Sequence, residues 1–402
     1  MRDGSAENHF NHRPGKPPSI CFVAQNAYGA LALEDTGHIG GIETQQSLMS
    51  RWLADRGYPV SMITWDEGQP RETVIAGVRV YKMCGKNEGV RGLRFFHPRW
   101  TSLVRAMGEA DADIYYYNCG DLGLGQIVLW AHRNGKKVFF SAANEADCDR
   151  DLPLLTNFRE RILYRHGLRN ADKIAAQTHN QKKMLREGFG VESTVIPMPS
   201  MGFDPDQNFE PQPPEAGKGR VLWVGRISSE KRLEWLLECA RRCPNLSFDV
   251  VGSTNAPTPY SEKMIRMAES IPNVRLRGRV IHRRLGEFYR QADVLCCTSK
   301  HEGFPNTFLE AWSVGVPIVS SFDPDSVIAS HGLGYTVDSV EQLVERLNEI
   351  TSSQETWENF SRACKNYFLK NHTVQASMRL FETEFLKLSD KKPGPAGTRI
   401  HA

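Results

Sequence analysis

The sequence predicts an α/β protein of two doubly wound, Rossmann-like domains that face each other across a cleft. Short continuous apolar runs alternate with amphipathic stretches along nearly the whole chain, as expected for parallel sheets covered by helices on both faces. Midway, prolines at 197, 199, 205, 211, 213 and 214 interrupt that alternation. At 402 residues the chain is long enough to build a core on each side of such a break.

Composition narrows the class. A hydrophobic share of 40% with 24% charged residues is that of a soluble globular protein, and a net charge of +3 does not call for nucleic acid. The longest apolar runs fall far short of the ~18 residues a membrane span needs. Nine cysteines are scattered without a paired C-x2-C, so neither a zinc site nor a disulfide framework is expected, and Cys296 and Cys297 read as buried thiols.

Residues 1–18 are polar, read as a disordered tail without an apolar leader, and lead to the expectation of a cytoplasmic place. The first domain then runs over 19–196. It opens on the buried run ICFVAQNA, followed by a loop, YGALALEDTGHIGGIETQQ, and a helix from SLMSRWLADRGY. Gly40 and Gly41, with Glu43 behind them, lie where a strand, glycine loop and helix bring backbone amides up to a phosphate. VSMIT, VRVYKM, DIYYYN and KKVFFSA supply further strands. The loop after KKVFFSA, carrying Asn144, Glu145, Asp147 and Asp149, sits beyond a strand's carboxyl end, where ligands of doubly wound sheets collect. DAD at 111–113 reads as a helix-to-strand turn, not a metal-binding D-x-D.

The Pro-rich stretch 197–218 is the linker and hinge. The second domain, 219–374, begins with the strand RVLWVG and the helix of RLEWLLECARR, with SSEK at the helix start. Arg226 and Lys231 share that strand-to-helix loop, and two cations there suit the charge developing on a leaving diphosphate. LSFDVVGS, NVRLRGRV and DVLCCTS add strands, with LGEFYRQ helical before the last. An amphipathic helix over 375–389 and a disordered tail over 390–402 finish the chain.

The most informative stretch is 299–320, SKHEGFPNTFLEAWSVGVPIVS. Pro305 fits the first turn of a helix and Gly315 the left-handed residue after its end, which leaves Glu302 in the loop and Glu310 two turns into the helix. Amides at the helix start suit an anion. A diphosphate there would have one carboxylate near each end, and carboxylates accept hydroxyl hydrogen bonds; a nucleotide sugar has that shape.

EGFPNTFLEAWSVGVPIV closely resembles the donor-site motif of retaining, Leloir-type family 4 glycosyltransferases of the GT-B fold, and VGRISSEKRLEWLLE resembles their VGR-x4-K motif. The resemblance implies a first domain that takes the acceptor, a second that takes the donor, and a last helix that crosses back. It implies that Arg226 and Lys231 hold the donor diphosphate, Glu302 the sugar hydroxyls and Glu310 the ribose hydroxyls. Amides of Gly303, Phe304 and Asn306 would line sugar and phosphate, Val280 would meet the base through its backbone, and Gly40 and Gly41 would face the donor from the first domain. Many members have a histidine that approaches the donor sugar where this chain has Asn144, which would then meet the sugar through its amide; His166 and His179 read as surface or core histidines. The implied activity is metal-independent hexosyl transfer to a glycan or lipid-linked hydroxyl acceptor, in surface polysaccharide or glycolipid assembly. No cofactor is implied beyond the nucleotide sugar as substrate. The alternative is a catalytically silent nucleotide-sugar-binding or assembly subunit, motivated by Asn144; a nucleotide-sugar epimerase fits the motifs less well.

Residues 86–105 and 159–173 interleave cations with aromatic and aliphatic residues. Such a mixture suits weak peripheral contact with an anionic membrane, at its inner face for a cytoplasmic protein.

Overall fold

The computed structural model describes residues 17–390, apart from 35, 37–39, 91, 205–206, 255 and 301. The expected tails therefore lie almost wholly outside the described residues. The first sheet contains β1 (Ile20–Val23), β2 (Val60–Thr64), β3 (Glu72–Ile75), β4 (Val78–Lys82), β5 (Ile114–Tyr117), β6 (Lys137–Ser141), β7 (Lys173–Ala176) and β8 (Thr194–Val195). Their order is β3-β4-β2-β1-β5-β6-β7-β8, parallel except for the β3–β4 hairpin. The second sheet contains β9 (Arg220–Val224), β10 (Ser247–Val251), β11 (Val274–Gly278), β12 (Val294–Cys297), β13 (Ile318–Ser320) and β14 (Gly334–Thr336), all parallel in the order β11-β10-β9-β12-β13-β14.

The unbroken apolar runs follow from this architecture. In β1, Cys21 and Val23 enter one core while Ile20 and Phe22 enter the core on the opposite face. A strand buried on both faces has no solvent side on which to place a polar residue.

Two features depart from the sequence reading. The stretch 28–46, expected as loop, contains a short helix (Tyr28–Ala32), and the next helix begins at Gly41 and runs to Asp55. Gly40 is its N-cap, and Glu43 accepts the Gly40 N–H at 3.0 Å. Glu43 thus starts a helix whose Gly–Gly opening reads as loop. The β3–β4 hairpin also escaped notice because its turn is Ala76–Gly77, both at positive φ (48° and 75°), without the usual Asn or Asp.

Two chain segments connect the domains, the linker and the turn around His372, and they are bonded to each other by Ser200 N–H to His372 O at 2.9 Å. Beyond the turn, helix Val374–Asp390 lies on the first sheet. Met378, Phe381 and Phe385 are fully buried there, with the two phenylalanine rings 5.0 to 6.2 Å from those of Tyr116 and Phe139. Burial of three such side chains stabilises this return by about 2 kcal/mol each. The second domain is thereby tied to the first at both its ends. Among the described residues no helix is long and apolar enough to cross a membrane.

Candidate active site

The carboxyl ends of both sheets face the cleft, and the candidate residues gather on the second domain's side. After β9 comes Arg226, exposed, then a single 3-10 turn, Ser229–Lys231, and only then helix Leu233–Arg242. SSEK is therefore a separate turn and not the helix start. Arg232, at φ 46°, reverses the chain between them and donates to Thr298 O (2.8 Å), Ser299 O (3.3 Å) and Ser321 Oγ (2.7 Å). Thr298 Oγ1 donates to Lys231 O at 2.6 Å. The loop after β9 is in this way fastened to the loop after β12. Sequence reasoning missed Arg232 and Thr298, whose roles depend on a partner about 66 residues away.

The fastening brings Lys231 Nζ onto Glu302 Oε1 as a partly buried ion pair. Glu302 stands in the loop, and Glu310 projects from helix Asn306–Ser313. Pro305 is this helix's N-cap, one residue earlier than expected, and Gly315 lies beyond the C-cap at φ 73°. Glu310 is held on both oxygens, by Tyr289 OH at 2.7 Å and His282 Nε2 at 3.2 Å. The hydrogen bond to Glu310 raises the His282 pKa above its ordinary value. The Phe203 ring from the linker packs against both His282 and Tyr289, with centroids 5.1 and 5.3 Å away. Val280 is half-buried between β11 and helix His282–Gln291.

The first domain closes onto the same helix start. Asn144 and Gly303 form an isolated antiparallel bridge across the cleft. Phe304 N–H donates to Gln177 Oε1 at 3.0 Å, so in this arrangement it is engaged and not open to a ligand, contrary to expectation. Gln45 Nε2 donates to Asn306 Oδ1 at 2.7 Å. Two glycines permit this approach: a Cβ on Gly41 would lie 1.9 Å from Asn306 Nδ2, and one on Gly303 would lie 2.5 Å from Ala143 O. Gly40 is exposed at the rim. Further along, the Asp325 carboxylate accepts the amides of His179 (2.5 Å) and Asn180 (2.9 Å) at the start of helix His179–Phe189, an acid placed at the positive end of a helix in the other domain.

Asn144 is above all a structural cap. Its Oδ1 accepts the Asp147 N–H at 3.1 Å, and Asp147 in turn accepts the amides of Ala143 and Asn144 at 3.0 and 3.1 Å. Burial pushes the Asp147 carboxyl up to about 6 against the pull of those amides. Of the other histidines, His166 is bonded to Asn170 on its own helix, and His179 contributes its backbone amide to Asp325.

Comparison with known proteins agrees with this geometry. Residues 40–199 match the family described as "Glycosyl transferase 4-like domain", and 218–353 match "Glycosyl transferases group 1". The chain is 21% identical over 345 residues to the amylovoran biosynthesis glycosyltransferase AmsD of Erwinia amylovora, covering 83% of this chain and 92% of that one. It is 27% identical over 212 residues to the UDP-N-acetylglucosamine–peptide N-acetylglucosaminyltransferase GtfA subunit of Streptococcus parasanguinis, covering 49% of this chain and 40% of that one. The chain therefore spans about two-fifths of the length of that curated relative. In fold it is similar to sucrose-phosphate synthase of Thermosynechococcus elongatus (TM-score 0.73, 16% identity, 92% of this chain and 99% of that chain). It is likewise similar to Anabaena HepE solved with UDP and glucose (TM-score 0.71, 14% identity, the same coverage). Two matched domains on two largely parallel sheets, joined by a linker, make this chain a member of the family 4-like glycosyltransferases with the GT-B fold.

Proposed function

We propose that the chain transfers a hexosyl group from a nucleotide diphosphate sugar to a hydroxyl acceptor, with retention of anomeric configuration and without a metal ion. The observation that carries this reading is the Lys231–Glu302 pair, a cation and a sugar-binding type of carboxylate held side by side at the start of a helix. A diphosphate entering there takes over Lys231 and gains Arg226, and their charges stabilise it as it leaves. Glu302 is then released to accept sugar hydroxyls. Glu310, already oriented by Tyr289 and His282, accepts the ribose hydroxyls, and the backbone at Val280 meets the base. Phe304 N–H exchanges Gln177 for the donor when the domains part.

In the proposed step the bond from the anomeric carbon to the diphosphate oxygen breaks. The acceptor oxygen forms its new bond on the same face, and the departing phosphate oxygen takes the acceptor's proton. No covalent enzyme intermediate is invoked, and no carboxylate is assigned as nucleophile. A glycan or lipid-linked acceptor, in surface polysaccharide or glycolipid assembly, is supported by the relatedness to AmsD. Asn144, the reason for weighing a catalytically silent subunit, is accounted for as a cap, so that alternative has no observation in its favour.

The test is a thermal-shift and nucleotide-release screen with UDP-, GDP- and ADP-sugars in EDTA, comparing wild type with Glu310→Ala. Binding lost in the variant, with slow nucleotide release by wild type, supports the reading. Binding without release in the presence of glycan and lipid acceptors would sink it.

A further inference from the structure

The two interleaved stretches, 86–105 and 159–173, together hold ten Lys and Arg against three acids, so with a chain net charge of +3 the remainder is net negative. The fold joins them. The first begins after β4 and the second after β6, so both start from the carboxyl edge of the first sheet, the edge that faces the cleft, and the second runs down helix Phe158–Asn170 towards the opposite edge. They meet where the Arg159 guanidinium lies over the Phe95 ring at 4.1 Å, beside the packed rings of Phe96 and Trp100.

Six of the thirteen large hydrophobic residues exposed among the described residues lie on these segments or the loop leading into the second. They are Val90 (69%), Leu93 (64%), Phe96 (54%), Leu154 (65%), Phe158 (77%) and Ile162 (49%). Among the described residues, Arg94, Arg99, Arg159, Arg165 and Arg169 form no ion pair with a carboxylate. Arg99 and Arg165 instead donate to the backbone carbonyls of Lys86 (2.7 Å) and Arg150 (3.0 Å), which orders their stems while leaving the charge uncompensated. A solvated helix face would be expected to pair such charges locally and to spare exposed phenylalanines.

We propose that this face lies on an anionic lipid bilayer. The cations meet acidic head groups, and Leu93, Phe96, Phe158 and Ile162 enter the interface. Charge complementarity selects the anionic surface, and the exposed aromatic side chains select a bilayer over a polyanion in solution. The face adjoins the cleft: Lys86 Nζ reaches Asn26 Oδ1 at 3.4 Å in the loop after β1, and the short helix capped by Asn144 leads into the second segment. A hydroxyl acceptor anchored in that bilayer would be presented at the mouth of the site. The inference uses no donor-site residue and stands apart from the proposed chemistry.

Flotation of the full chain with vesicles tests it. Binding is expected to phosphatidylcholine vesicles containing one-third phosphatidylglycerol at low salt, and not to pure phosphatidylcholine. Arg94→Glu/Arg169→Glu and Phe96→Ser/Phe158→Ser should each cut the bound fraction by about tenfold or more. Both variants should keep a cooperative unfolding transition and the wild-type nucleotide-sugar thermal shift, since the altered side chains lie on the first domain and none touches the donor loops. Absence of flotation with anionic vesicles, equal flotation with neutral ones, or unchanged flotation of both variants would overturn the proposal. Donor turnover measured without vesicles reports separately on the transferase reading.

Discussion

Lys231 and Glu302, 71 residues apart in the chain, form an ion pair at the carboxyl edge of the second sheet. The pair is maintained by neighbours that hold its two loops together: Arg232 on the carbonyls of Thr298 and Ser299, and the amide of Lys300 on Glu230 O at 2.8 Å. Its members are the charge that receives the leaving group and the carboxylate that receives the sugar in the proposed reaction. Loss of Lys231 should therefore remove transition-state stabilisation of roughly 2 to 4 kcal/mol. Lys231→Ala is expected to lower kcat about 30- to 1,000-fold with an unchanged fold. Turnover within a few-fold of wild type would remove Lys231 from the mechanism.

The approach of Gly41 to Asn306 predicts a coupled pair. The methyl of Gly41→Ala meets the Asn306 amide at 1.9 Å and should push that side chain aside, breaking its hydrogen bond with Gln45 across the cleft. Since alanine suits a helix start at least as well as glycine, stability should change by less than about 1 kcal/mol while kcat/KM falls. In Gly41→Ala/Asn306→Ala the obstruction is gone, so the double variant should be no worse than Asn306→Ala alone. Additive losses in that cycle would rule out the steric account.

The His282 imidazolium is favoured by its hydrogen bond to Glu310. The stabilisation from this pair is complete below the unfolded pKa of about 6.5 and is lost as pH rises through the higher folded value. An NMR titration of His282 should show a pKa above that of an unfolded chain, and Glu310→Gln should bring it down. A pKa that ignores the substitution would mean that the two side chains are not paired in solution.

Two buried groups give stability opposite pH slopes. His372 is fully enclosed at the hinge, with one ring nitrogen on Met198 O at 3.2 Å, and burial lowers its pKa from 6.5 to about 4. Stability should therefore fall as pH drops from about 6.5 to about 4, by up to about 3 kcal/mol. Asp147 works the other way, losing stability as pH rises from 3.8 to about 6. In urea unfolding across this range, His372→Asn should abolish the first slope and Asp147→Asn the second. An unaltered pH profile in either variant would refute the corresponding assignment.

Local pattern was enough to establish much of this protein. Continuous apolar runs specify strands buried on both faces. Prolines from 197 to 214 specify a stretch without a named helix or strand between β8 and β9. A contiguous loop-helix run from Glu302 to Gly315 carries the donor-site pattern because its carboxylates share one strand-loop-helix unit. Those features depend on period, burial and turn chemistry, which are written along the chain. What only the tertiary structure decided is which distant residues meet. Gln45 reaches Asn306, Gln177 takes the Phe304 amide, Asp325 caps a helix of the opposite domain, and Arg159 covers Phe95. These side chains are ordinary in their local sequence; the first three pairings follow from the way the linker and the returning helix set one sheet against the other, and the fourth from the packing of two segments within the first domain.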